Sequence, residues 1–218
     1  MPEILTEIES RIVGSLVEKQ LTTPEYYPLT LNALVNACNQ KSNRDPVVSF
    51  DQETVTDALE RLRDRNLVYV FYGSTSRVPK YKHMLPSVYE LEPAGVAVIC
   101  VMMLRGPQTL GELRGRTDRL FEFSGLGEVQ ETLDGLIRRD DPLVAKLERQ
   151  PGQKEARFAQ LLCGEIDIAA FSPALTAQPP QGGADVERIE KLEDQVSALR
   201  SEVEALKKTF EEFKKQFE

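Results

Sequence analysis

Apolar and polar positions alternate along the first 168 residues with periods that change from segment to segment. Ile8, Ile12, Leu16 and Lys19 recur at helical spacing, and Ile12, Val13, Leu16 and Val17 form one stripe, which predicts a helix over about 8–19. After Pro28, Thr30 is a good N-cap for a short helix ending near Ala37. Residues 39–46 (Asn-Gln-Lys-Ser-Asn-Arg-Asp-Pro) have loop chemistry. Asp51 caps a third expected helix over 52–65, with Val55, Ala58, Leu59 and Leu62 facing inward. Residues 67–72 are β-branched and aromatic, hence a strand, turned by 73–77 and followed by a return strand within 78–91.

The same order then repeats. Pro28-Leu-Thr-Leu31-x-x-Leu34 recurs as Pro107-Gln-Thr-Leu110-x-x-Leu113, an offset of 79. Val55, Leu59 and Leu62 recur as Val129, Leu133 and Leu136 at an offset of 74, so one loop differs by five residues. The second copy predicts a helix over 93–104 with Pro93 at its start, a break at Gly106-Pro107, a helix capped by Thr109, a loop over 116–127, a helix over 128–138, and strands over 143–148 and 156–162. Three helices and a two-stranded ribbon, twice over, predict an α+β, mainly helical chain with two tandem winged-helix domains. The expected divisions are 1–91 and 92–168.

Residues 169–184 are rich in Pro, Gly, Ala and Gln and read as a flexible linker. From 185 to 218 a heptad pattern takes over, with Ile189, Val196, Val203 and Phe210 at one position and Leu192, Leu199, Leu206 and Phe213 at the other. Such a helix spans roughly 45 Å and needs a partner for its stripe. Arg188 would face Glu193 and Glu202 would face Lys207 in a parallel pair, so the expectation is a coiled-coil helix that makes a homodimer. The other possibility is that the helix folds back on its own chain.

Two long segments carry a family resemblance. Arg11-Ile-Val-Gly-Ser-Leu-Val-Glu-Lys-Gln20 leads into Thr23-Pro-Glu-Tyr-Tyr-Pro-Leu-Thr-Leu-Asn-Ala-Leu-Val-Asn-Ala-Cys-Asn-Gln-Lys-Ser-Asn-Arg-Asp-Pro46. Together with Arg77-Val-Pro-Lys-Tyr-Lys-His83 and Leu104-Arg-Gly-Pro-Gln-Thr-Leu-Gly-Glu-Leu-Arg114, this resembles the YceH-like family of uncharacterised bacterial proteins over about 7–165. The resemblance implies the tandem winged-helix fold and brings no functional residue with it.

Composition narrows the function classes. The longest apolar run, 95–104, is half of what spans a bilayer, and no secretory signal opens the chain, so a cytoplasmic protein with no membrane partner is expected. Cys38, Cys100 and Cys163 are far apart and read as reduced, buried thiols. Catalytic chemistry has little to work with. His83 is the single histidine, expected on the exposed ribbon, and no metal-ligand spacing, phosphate loop or nucleophile motif occurs. The expectation is a non-enzymatic protein with no cofactor or metal.

Charge bears on nucleic acid. The formal charge is −8, spread almost evenly over both copies and the tail. Both third helices begin with acids, Asp51, Glu53 and Asp57 in one and Glu128 and Glu131 in the other, which opposes insertion beside phosphates. Cations gather elsewhere. Lys41 and Arg44 lie in the first loop. Arg77, Lys80 and Lys82 lie in the first ribbon, where no acid occurs from 73 to 89, with Tyr81 and His83 beside them. Arg114, Arg116 and Arg119 follow the second copy's short helix. These eight residues are the expected duplex-DNA contacts of a dimeric, transcription-related regulator. The alternative is a scaffold whose winged helices dock another protein.

Overall fold

The computed structural model describes residues 4–72, 78–149 and 155–164. Helix α1 (Glu7–Thr22) opens on a reciprocal cap. The Thr6 hydroxyl accepts from the Glu9 N–H, and the Glu9 carboxylate accepts from the Thr6 N–H. A 3-10 turn at Pro24–Tyr26 leads to a two-residue strand β1 (Leu29–Thr30) and helix α2 (Leu31–Cys38). Helix α3 (Gln52–Asp64) follows, capped by Asp51, with Val55, Ala58, Leu59 and Leu62 all buried. Strands β2 (Val68–Phe71) and β3 (Lys80–His83) and a short helix α4 (Leu85–Tyr89) complete the first half.

The second half repeats this plan. Helix α5 (Pro93–Arg105) is followed by β4 (Gln108–Thr109), α6 (Leu110–Thr117), α7 (Leu126–Ile137), β5 (Val144–Lys146) and β6 (Arg157–Gln160). The chain is thus α+β, with two small antiparallel sheets ordered β1-β3-β2 and β4-β6-β5. Strands β1 and β4 were not foreseen, because two residues make no pattern. They are the repeated Pro-x-Thr-Leu motif itself. Thr30 pairs with Lys80 and caps α2, while Thr109 pairs with Arg157 and caps α6 in a reciprocal box with Glu112. One threonine ends a strand and starts a helix. Two boundaries differ from expectation: α6 runs through Arg116 to Thr117, and α7 starts two residues earlier, at Leu126.

The two halves share a core. Helix α1 packs along α5, whose residues Gly95 to Leu104 are all buried. Gly14 permits the close approach. A β-carbon there would stand 3.0 Å from Leu104 Cδ2 and 3.1 Å from Met103 Cβ. The Cys100 thiol donates to the Gly14 carbonyl at 3.4 Å. Backbone links add to this junction: Leu5 N–H donates to Leu162 O at 2.7 Å, and the Arg139 guanidinium donates to Tyr89 O at 2.9 Å. None of the helices among the described residues is long and apolar enough to cross a membrane.

Candidate nucleic-acid interface

The β2–β3 hairpin sorts its side chains by period two. Tyr69 lies opposite Lys82 and Phe71 opposite Lys80, and directly opposed residues of an antiparallel pair share a face. Tyr69 is 59% and Phe71 46% exposed, so this outer face alternates aromatic rings with ammonium groups. Tyr72, 68% exposed, follows the strand and acts electrostatically on Tyr81 of the other face. Arg77 falls outside the described residues.

The inner face corrects two expectations. His83 is buried at 3% exposure, opposite buried Val68, and is not a surface residue of the ribbon. Neither ring nitrogen has a hydrogen-bond partner among the described residues. Its backbone N–H donates to the Tyr27 hydroxyl at 2.8 Å. Burial, with the Lys82 charge adding, lowers its pKa to about 4. Tyr81 also lies on this half-buried side. The rings that accompany the lysines are therefore Tyr69 and Phe71, two residues apart in the other strand, and not the lysines' neighbours in sequence.

The loop between α2 and α3 corrects a third. Lys41 is exposed, but Arg44 is interior, its side chain fully covered. Its guanidinium donates to both Glu18 carboxylate oxygens (3.1 and 2.6 Å), to Ala37 O (2.9 Å) and to Gln40 Oε1 (3.0 Å), leaving it no route to a phosphate. Arg11 helps to fix the same loop through Cys38 O and Pro46 O, and Asn39 clamps Phe50 through both its amide atoms at 2.8 Å. The five extra residues of the first copy are folded around buried cations.

On α3 the outward positions are mainly acidic, with Glu53, Asp57, Glu60 and Asp64 exposed. An arginine of α3 and the one that caps its C-terminus are committed to a buried acid. Arg61 Nε meets Glu9 Oε1 at 2.9 Å and Arg65 Nη1 meets Glu9 Oε2 at 3.3 Å. Burial alone would raise the Glu9 carboxyl. The Thr6 N–H and hydroxyl and the two arginines outweigh it and hold the group below the usual range.

The second-half cations do not form one cluster. Arg114, in the last turn of α6, pairs with Asp118 at 2.8 Å. Arg116, also helical, turns to Gln108 Oε1 and to Glu112 at 3.4 Å, a carboxylate shared with Arg157. Arg119 is exposed and joins Arg116 at the rim of a cleft of about 240 Å³ between the halves. A larger open groove of about 680 Å³ runs between the β5–β6 strands and the starts of α6 and α7. Lys146 stands over the Phe158 ring there, 5.9 Å from its centre.

Cys38 and Cys100 are buried and Cys163 is partly exposed. Burial pushes the Cys38 thiol up to about 11 and the Cys100 thiol up as well, far from a nucleophile's range at neutral pH. The dimer residues Ile189, Leu192, Val196, Leu199, Val203, Leu206, Phe210 and Phe213 lie outside the described residues.

Comparison with known proteins finds bacterial relatives of similar sequence. Residues 5–153 match the family model described as "Protein of unknown function, DUF480". A "UPF0502 protein" of Citrifermentans bemidjiense is 53% identical over 197 residues, covering 90% of each chain. That of Opitutus terrae is 52% identical over 196 residues, covering 89% of this chain and 83% of the relative. The one from Solibacter usitatus is 51% identical over 193 residues, covering 88% and 91%.

Proposed function

The chain belongs to the DUF480 family, and from that premise we propose a non-enzymatic, nucleic-acid-binding winged-helix protein that contacts duplex DNA with its first hairpin. The repeated order of helices and three-stranded sheets supports the winged-helix reading, with β2–β3 and β5–β6 as the wings. The YceH-like resemblance rests on the same stretch of chain.

One observation carries the reading. The outer face of the first hairpin sets Tyr69 beside Lys82 and Phe71 beside Lys80, in a segment without acids. Ammonium groups supply phosphate contacts, and exposed rings supply apolar area against sugars and groove edges. The acidic outward face of α3 argues against major-groove insertion, so the wing leads and binding is weak for one protomer. Pairing through the heptads of 185–218 would join two wings and raise the avidity.

Titration of a labelled duplex by fluorescence anisotropy tests this. Affinity falls steeply between about 50 and 200 mM salt, and Lys80→Ala/Lys82→Ala lowers the salt slope by about 2 on unrelated sequences alike. Tyr69→Ala/Phe71→Ala weakens binding with little change in that slope. Absence of duplex binding at low salt ends the proposal. That outcome favours the second reading, a protein-docking scaffold, which the acids exposed on α3 support.

A further inference from the structure

Three arginines line one cleft where the two halves join, at a place the wing reading does not use. The cleft of about 240 Å³ lies between the ends of α1, α5 and α6. Arg105, Arg116 and Arg119 line it, with Asn43 between the halves and Leu104 on the apolar wall.

The charges there are only partly answered from within, Glu18 and Asp45 acting on Arg105 and Glu112 pairing with Arg116. Glu18 is the one carboxylate in the lining, and Arg44 takes both its oxygens. Arg105 has a neutral partner, the Asn43 side-chain oxygen. Arg119 has no partner among the described residues, and Arg116 shares its carboxylate with Arg157. Burial shifts the Arg105 guanidinium downward, and the positive charges of Arg116 and Arg44 add to that shift against the opposing pull of Glu18 and Asp45.

Helix termini do not consume this charge. Carbonyls at the ends of these helices already have donors: Leu104 O receives the Asp45 N–H, Arg105 O the Gln108 amide, and Lys19 O the Thr23 N–H. The macrodipoles contribute about half a negative charge each, less in total than three guanidinium groups.

We propose that this cleft binds a compact phosphate dianion, either inorganic phosphate or the phosphoryl end of a small phosphomonoester. Guanidinium forks match phosphate oxygens bidentately, and an anion beside Arg105 and Arg116 relieves their like-charge repulsion, with Arg119 on the same lining. Because the lining comes from both halves, the ligand would act as an effector that ties them together. This site is independent of the wing proposal, and a nucleic-acid phosphate is the rival source of the same chemistry.

The experiment uses the full chain and inorganic phosphate, with chloride at matched ionic strength as control. Thermal unfolding and calorimetric titration should show a saturable rise in Tm with phosphate alone. Arg119→Gln, an exposed position, and Arg105→Gln should each weaken phosphate binding about tenfold. Lys80→Ala/Lys82→Ala should leave it unchanged. Equal effects of phosphate and chloride overturn the proposal. So does a phosphate response that both arginine variants keep. If phosphate does nothing while Arg119→Gln weakens duplex binding, the cleft serves nucleic-acid backbone and the effector proposal falls.

Discussion

Arg44 lies in a polar stretch between two helices, where composition points to solvent, yet it is among the most enclosed cations of the described residues. What sequence reasoning lacked was the three-residue capture of its head group by Glu18, Ala37 O and Gln40, which depends on how α1 and α2 pack. Arg44→Met should therefore cost about 3–5 kcal/mol, since Glu18 and the loop carbonyls lose their donor. Urea denaturation measures this. Duplex affinity of the folded variant should match the parent, and a selective loss of affinity at full stability would return Arg44 to the DNA contacts. His83 offers a pH test. Its pKa falls from 6.5 to about 4 on folding, so the unfolded chain binds a proton the native state refuses between those values. Stability should decline as pH drops from about 6.5 to 4 and level off below, by up to about 3 kcal/mol. His83→Leu should flatten that interval in urea midpoints taken at about pH 7 and 4.5. An unchanged slope would assign the acid sensitivity to other groups.

Among elements, what was legible was what is local. Thr30, Asp51 and Thr109 were readable as caps because cap and helix lie within four residues of one another, and the repeat offsets reproduced the starts of α2/α6 and α3/α7. Strands β1 and β4 were illegible because their partners, β3 and β6, lie about fifty residues away. The same limit hid the composition of the hairpin face. Period two separates Tyr81 from Lys80 and Lys82, and only the strand register brings Tyr69 and Phe71 to them. Thr109→Ala should cost about 1 kcal/mol, from loss of the hydroxyl half of its cap, and Thr30→Ala about the same or less. Paired denaturant titrations resolve this order. A neutral Thr109→Ala would mean that the strand pairing with Arg157 holds the helix start without the hydroxyl.

At the scale of the whole molecule, the α1–α5 contact makes the described residues behave as one. A single cooperative transition is expected for residues 1–170, and two separable transitions in calorimetry would contradict the shared core. Gly14→Ala tests the contact itself. Helix propensity favours alanine by about 1 kcal/mol, but Met103 Cβ is fixed to its backbone and cannot withdraw. A net loss of about 1–2 kcal/mol is expected from the helices being pushed apart. Light scattering addresses the tail. The full chain should be dimeric and residues 1–170 monomeric, whereas a monomeric full chain removes the heptad proposal. The close packing of α1 on α5 also orders events in time. During synthesis at about 5–20 residues per second, α2 and α3 reach α1 first, and the part of its apolar face that α5 covers waits on the order of ten seconds for that partner. The protein's yield in cells should therefore respond to translation speed between codons 22 and 105.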